Sequence, residues 1–127
     1  MTQFQLPKRT EFGTVKEAFF HDLARPIVSA FPAAIKREFG HLLFKLQMGD
    51  RLGMPFSRSM RSLFPGSHEL RLRGEDGNYR FFYFLKSEKG IFIFHAFMKK
   101  DKKTSKLDLE LGKKRLLEML RKYDQEV

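Results

Sequence analysis

The chain has 127 residues, of which 42% are hydrophobic, enough for one compact core but too few for two folded domains. It has no cysteine, which excludes disulfides, thiolate zinc sites and thiol catalysis, and leads us to expect a cytoplasmic protein. The net charge of +10 favours a polyanionic partner such as RNA, DNA or a ribosome, although an acidic protein would satisfy the same charge.

The first part of the chain predicts an arm and a helix. Residues 1–11 show neither helical nor strand periodicity, so we expect an irregular N-terminal arm. Their composition does not resemble a signal peptide, and no apolar run approaches the roughly 18 residues of a membrane span. Thr14 with Glu17 three residues later forms a capping-box pattern, and apolar residues then recur at helical spacing. This pattern predicts a first helix that ends before Pro26.

A second helix is predicted to open at Pro32 and to stop at Gly49. Its apolar stripe consists of Ile35, Phe39, Leu42, Leu43 and Leu46. Residues 50–65 contain Gly53 and Pro55 and predict a loop. This loop carries a basic trio, Arg51, Arg58 and Arg61.

Beyond Ser67 the hydrophobic period changes from about 3.6 residues to 2, which is typical of a sheet. Leu70 and Leu72 alternate with charged residues, and residues 74–78 form a turn cluster. Residues 79–86 and 91–98 follow as two strand-like runs, which predicts an antiparallel meander of three strands. Since the last two strands are apolar on both sides, we expect helices to cover both faces of the sheet.

The last helix is predicted to begin after Ser105, which can cap it, with Asp108 in its first turn. Its apolar stripe should lie on the sheet and consists of Leu109, Gly112, Leu116, Met119, Leu120 and Tyr123. Its basic residues should point away, namely Lys114, Arg115, Arg121 and Lys122. The predicted fold class is therefore a single α+β domain.

A lysine-rich segment connects the last strand to this helix. Five of the eight residues from 99 to 106 are lysines, at positions 99, 100, 102, 103 and 106. A loop that follows a strand is a common place for a functional site, but such a run can equally be a solvated surface. Positive charge before a helix N-terminus opposes the helix dipole by a few tenths of a kcal/mol, roughly, which favours a functional role.

Arginines on the predicted hairpin form a second basic feature. Arg71 and Arg73 share one face of the first strand, and Arg80 begins the next. If the turn closes a hairpin, Arg73 and Arg80 approach each other, which costs stability unless an anion such as a phosphodiester lies between them. Glu69 or Asp76 could provide that neutralisation instead.

The remaining candidates are weaker. His95 lies in an otherwise apolar strand, where it is either a buried structural histidine or a titrating group near the lysines. The four histidines show no metal-ligand spacing, so we expect no metal and no cofactor. Phosphate-binding glycine loops and serine nucleophile elbows are also absent from the sequence. RNA cleavage needs none of these, because the 2′-hydroxyl of RNA can attack the adjacent phosphate while Lys and Arg stabilise the transition state.

These segments resemble the RelE/ParE toxin superfamily, and within it the phage-derived, HigB-like branch. The resemblance spans about residues 12–120 and is most specific in three stretches. These are His68-Glu69-Leu70-Arg71 followed by Tyr79-Arg80-Phe81-Phe82-Tyr83, then Phe94-His95-Ala96-Phe97-Met98-Lys99-Lys100 through Lys103-Thr104, and Leu52-Gly53-Met54-Pro55.

The resemblance implies a RelE-like fold with two N-terminal helices, an antiparallel sheet of three or more strands and a C-terminal helix packed on the sheet. It implies the toxin of a type II toxin–antitoxin pair that cuts messenger RNA at the ribosome without a metal, and a helix-turn-helix antitoxin as partner. The catalytic residues would be Arg71, Arg73, Arg80, His95 and Lys100. The RNA-binding residues would be Lys99, Lys102, Lys103, Lys106, Arg58 and Arg61.

The chain departs from the ribosome-dependent members at two positions. Glu69 stands where they carry a lysine, and Leu107 lies where they often carry a tyrosine. Proton transfer is therefore assigned to no single residue. Two other functions remain open: a ParE-like inhibitor of DNA gyrase that is not an enzyme, and a nucleic-acid-binding module without toxicity.

Overall fold

A computed structural model describes residues 9–10, 13–101 and 103–124. Most of the predicted N-terminal arm and Lys102 therefore lie outside the described residues. At the end of the arm, strand β1 (Arg9–Thr10) pairs antiparallel with β2 (Gly13–Thr14), which lies just beyond it. Among the described residues, no helix is both long and apolar enough to cross a bilayer.

The main sheet has five strands, which in chain order are β3 (Glu17–Phe20), β4 (Ser57–Ser59), β5 (Ser67–Arg73), β6 (Asn78–Phe84) and β7 (Gly90–Lys99). Their spatial order is β3-β7-β6-β5-β4. The predicted antiparallel meander is confirmed as β5, β6 and β7. The structure adds β4 antiparallel to β5 at one edge, and β3 parallel to β7 at the other.

The prediction of a helix after Thr14 was wrong, because β3 occupies this segment. Phe19 packs with Phe92 and Tyr123 on one face of the sheet, whereas Phe20 packs with Phe39 on the other. The segment thus partly buries alternate residues on two faces and pairs with the edge of β7. These long-range contacts outweigh the local helical pattern, since propensity is a weak preference that tertiary packing overrides.

The first helix, α1, instead spans Ala24–Ser29 and includes Pro26. The prediction that this helix ends before Pro26 was therefore wrong as well. Proline is tolerated in a first turn, because the N–H groups there have no partner within the helix. The longer helix α2 (Ala33–Gln47) follows Pro32 as predicted, and Gly49 beyond it has a φ of 95°.

Residues 50–65 are a loop except for β4, which the sequence did not predict. A three-residue strand, Ser-Arg-Ser, is too short and too polar to show strand periodicity, and its pairing with β5 identifies it. The last helix, α3 (Lys106–Asp124), begins after Ser105 as predicted. Ser105 caps it, since its hydroxyl accepts the Asp108 N–H at 3.1 Å.

Helices cover both faces of the sheet, as expected. On one face, α1 and α2 pack against β5, β6 and β7, and Phe39 stacks on Phe81 at 4.2 Å. On the other face, α3 contributes Leu116 and Met119 to a core with Phe82, Phe92 and further rings. The predicted stripe of α3 is confirmed, because its members are buried or partly buried in this core.

Candidate functional site

The register of the strands arranges the charged residues in rows on the face that α3 covers. Residues that pair directly across antiparallel strands point to the same face. The first row runs from Arg58 through Glu69 and Phe82 to His95. The second row contains Arg71, Arg80 and Phe97, and the third contains Arg73, Asn78 and Lys99. The direct partner of Arg80 is Arg71, and Arg73 lies diagonally opposite Arg80 on the same face.

A β-bulge brings His95 onto this face. Phe82 pairs with His95 but Tyr83 pairs with Ile93, so Phe94 is an extra residue in β7. Without that insertion the period of two would place His95 on the opposite face. The bulge lets Phe94 pack in the core under α3 while His95 also faces the helix.

Three guanidinium groups meet at Glu69, whose side chain is fully buried. Its Oε1 lies 3.3 Å from Arg58 Nη2, 3.4 Å from Arg80 Nη1 and 3.9 Å from Arg71 Nε. We call Arg58, Arg71 and Arg80 around Glu69 the arginine cluster. Glu69 is thus the neutralising anion that the sequence left as an alternative, although it is buried and shared by all three cations.

The members of the arginine cluster differ in exposure. The Arg58 side chain is 49% exposed and that of Arg71 is 26% exposed, whereas that of Arg80 is 4% exposed. Burial lowers the pKa of Arg80, and the neighbouring Glu69 opposes that effect. Arg58 and Arg71 can therefore turn toward an incoming anion, while Arg80 is held inside the protein.

The loop after β7 is attached to the sheet by two polar contacts, one of which reaches the cluster. Thr104 donates a hydrogen bond to Oε2 of Glu69 at 2.8 Å, and Asn78 Nδ2 donates to the carbonyl of Asp101 at 3.3 Å. Lys100, Lys103 and Lys106 are exposed around this loop. The Lys99 ammonium lies 3.8 Å from Asp101. The structure therefore brings the lysine-rich segment beside the arginines.

His95 is a buried connection between the sheet and α3. It is 3% exposed, its Nε2 lies 3.0 Å from Asp108 Oδ1, and Arg115 Nη1 lies 2.8 Å from its Nδ1. A guanidinium only donates, so Nδ1 accepts and the neutral ring donates from Nε2 to Asp108. Burial lowers the pKa of His95, the Asp108 hydrogen bond opposes this, and the Arg115 charge adds to it. These contacts favour the structural interpretation of this histidine.

One sequence prediction was wrong here, and another stays a prediction. Arg115 was expected to point away from the sheet, but it reaches His95, because a long arginine side chain can extend from the helix flank back to the sheet. Arg61 lies exposed in the turn after β4. Among the residues that the structure describes, it makes no hydrogen bond or ion pair with the arginine cluster.

Sequence reasoning missed the roles of Thr104, Asp108 and Arg115. Thr104 lies within the lysine-rich segment, and the other two lie in the predicted helix that follows. Periodicity cannot show that Thr104 reaches a strand 35 residues away. Within the described part of the chain, no group of three or more histidine or acidic side chains could hold a metal ion.

Comparisons with known proteins agree with this architecture. The family model described as "Phage derived protein Gp49-like (DUF891)" matches residues 27–117. A structure of a mutant of the Escherichia coli toxin RelE in the free state has a TM-score of 0.58 and 15% identity, over 84% of this chain and 100% of that chain. A crystal structure of the isolated E. coli RelE toxin has a TM-score of 0.50 and 19% identity, over 78% of this chain and 97% of that chain. No curated protein sequence matches the chain.

The two structural matches confirm the predicted RelE-like fold.

Proposed function

This chain belongs to the phage-derived Gp49-like family, and we propose that it is the toxin of a type II toxin–antitoxin pair that cleaves messenger RNA on the ribosome. The arginine cluster is the observation that carries this proposal. Three guanidiniums share one carboxylate, so the positive charge of the cluster exceeds the negative charge. A phosphodiester that approaches Arg58 and Arg71 meets this excess at the border of a buried site, where electrostatic stabilisation is stronger than in water.

The chemistry needs little beyond alignment and charge. The 2′-hydroxyl oxygen attacks the adjacent phosphorus, the bond from phosphorus to the 5′-oxygen breaks, and a proton moves from the former oxygen to the latter. Arg58 and Arg71 contact the phosphate and stabilise its growing negative charge. Arg80 holds Glu69 and thereby positions the other two arginines. No described side chain is assigned the proton transfer.

The remaining predicted residues have supporting roles in this proposal. Arg73 and Lys99 belong to the third row of the sheet. They extend the row of cations away from the first row, which contacts the start of α3. Exposed cations of the loop hold the RNA or ribosomal backbone, namely Lys100, Lys103 and Lys106. His95 is a positioning residue, since its contacts with Asp108 and Arg115 fix the start of α3 beside the arginine cluster. The partner is an antitoxin, which we expect to be a helix-turn-helix protein.

The direct test is to incubate the purified protein with translating ribosomes and to map the ends of the messenger. We expect new ends with the parent protein, and a loss of cleavage of at least tenfold, roughly, in Arg71→Ala, as for the removal of a group that stabilises transition-state charge. Lys100→Ala should also weaken cleavage, because it removes a cation that holds the RNA or ribosomal backbone. Lys45→Ala is the charge-matched control, because Lys45 is exposed on α2, on the opposite side of the sheet.

Other outcomes separate the alternatives. If the folded parent protein leaves the messenger intact, the nuclease proposal is contradicted. Continued translation with rising DNA damage in cells supports a gyrase inhibitor of the ParE type instead. RNA binding that weakens steeply with salt, without toxicity, supports a simple binding module.

A further inference from the structure

A cleft beside the arginine cluster combines exposed apolar side chains with cations. It has a volume of about 360 Å³, which lies within the roughly 300–1,000 Å³ of small-molecule sites. Phe56 and Met54 line it from the loop before β4, and Arg71 and Arg73 line it from β5. We call it the Phe56 cleft.

Its apolar wall is unusually exposed. Met54 is 64% exposed and Phe56 is 44% exposed, although burying large apolar side chains would stabilise the folded protein. The two residues lie side by side on one cleft, so they form a patch and not two isolated exposures. Such a patch indicates a surface that a ligand covers.

The wall is also held in place by the backbone. The Arg71 N–H donates to the Phe56 carbonyl at 2.7 Å, and the Phe56 N–H donates to the Gly53 carbonyl at 3.0 Å. Arg71 Nη1 lies 3.8 Å from the Met54 sulfur, so the guanidinium reaches across the apolar wall. The aromatic ring and the cation are therefore presented together before any ligand binds, which lowers the entropic cost of binding.

We propose that the Phe56 cleft holds one unpaired nucleotide of an RNA strand, with its base against Phe56 and Met54 and its phosphate on Arg71 and Arg73. An aromatic ring beside a basic groove is the arrangement by which proteins bind single-stranded nucleic acid. Glu38 also lines the cleft, and adenine, cytosine or guanine tolerates this carboxylate because its exocyclic amino group can donate to it. The proposal rests on the proposed function and names a substrate subsite next to the scissile phosphate.

A binding experiment with uncleavable strands tests this subsite. The probes are a 2′-O-methyl RNA strand, which has no attacking hydroxyl, and a strand of equal length made only of abasic spacers. The proteins are the parent, Phe56→Ala, Phe56→Tyr and Arg73→Ala. We expect Phe56→Ala to bind the RNA strand roughly 5- to 150-fold more weakly, as one lost stacking contact predicts, and Phe56→Tyr to bind like the parent.

The abasic strand distinguishes the loss of base stacking from a change in the shape of the protein surface caused by the substitution. Phe56→Ala should bind it as the parent does, while Arg73→Ala should weaken both strands and make binding less dependent on salt. Equal binding of the RNA strand by Phe56→Ala and parent overturns the proposal, and so does equal weakening on both probes. The proposal is also overturned if the parent protein binds no RNA strand. The same holds if Phe56→Ala binds RNA normally and loses only antitoxin binding. None of these readouts involves cleavage, so the nuclease proposal stands or falls separately.

Discussion

The hydroxyl of Thr104 donates a hydrogen bond to Oε2 of Glu69 at 2.8 Å and thereby joins the lysine-rich loop to the buried centre of the sheet. Glu69 receives the guanidiniums of Arg58 and Arg80 on its other oxygen. One carboxylate therefore sets the position of both basic features, the arginines of the sheet and the lysines of the loop.

Thr104→Val should destabilise the fold, because it keeps the branched shape but removes the donor to a buried carboxylate oxygen. The expected loss in the free energy of unfolding is about 1–3 kcal/mol, measured by urea denaturation. Thr104→Ser retains the hydroxyl and should stay close to the parent. An unchanged midpoint for Thr104→Val would show that the contact contributes nothing to stability.

Glu69→Gln should be more harmful, because three guanidiniums then face one another without their shared anion. Removing one partner of a buried pair costs about 3–5 kcal/mol, and the partial exposure of Arg58 and Arg71 places our expectation near the lower end. Added sulfate should raise the unfolding midpoint of this variant more than that of the parent, since an anion that binds only the folded protein stabilises it.

The control for this variant is Glu75→Gln, which removes the same charge from an exposed turn. It should change the free energy of unfolding by no more than about 0.5 kcal/mol. If the two variants respond alike to sulfate, the arginine cluster is not an anion site.

The stability of the protein should fall as the pH is lowered from about 7 to 5. Burial lowers the pKa of both His95 and His68 in the folded state. The unfolded chain then binds more protons below the ordinary histidine pKa of about 6.5, so stability is complete above that pH and decreases as the pH falls toward the lowered values.

His95→Gln should therefore weaken this pH dependence, even though it also costs stability at neutral pH through the lost contacts with Asp108 and Arg115. Urea unfolding at several pH values measures the slope. A slope identical to that of the parent would mean that His95 has its ordinary pKa in the folded protein.

Two glycines in helices should respond to alanine in opposite directions. A Cβ at Gly112 of α3 would lie 2.7 Å from the buried ring of Phe82, whereas a Cβ at Gly40 of α2 would meet nothing within 4 Å. Gly112→Ala should cost about 1–3 kcal/mol through overpacking, and Gly40→Ala should gain about 0.5–1 kcal/mol through helix propensity. Thermal unfolding distinguishes the two signs, and a stabilised Gly112→Ala would contradict the close packing of α3 on β6.

The amino-acid sequence determined the parts of this protein that depend on local periodicity. The stripes of α2 and α3, the three strands of the meander and the cap at Ser105 follow from residues within a few positions of one another. The sequence also located the basic residues, since charge is a property of composition, and the burial of both sheet faces follows from the apolar runs in β6 and β7.

Only the tertiary structure decided the contacts between distant segments. Glu17–Phe20 forms a strand because it pairs with β7 and its side chains pack into the cores on both faces of the sheet. Ser57–Ser59 forms a strand because it pairs with β5. The pairing of Arg71 with Arg80 depends on the register, and the direction of His95 depends on a single inserted residue, Phe94. Since a shift of one residue exchanges the two faces of a strand, a pattern along one segment cannot fix which charges meet across the sheet.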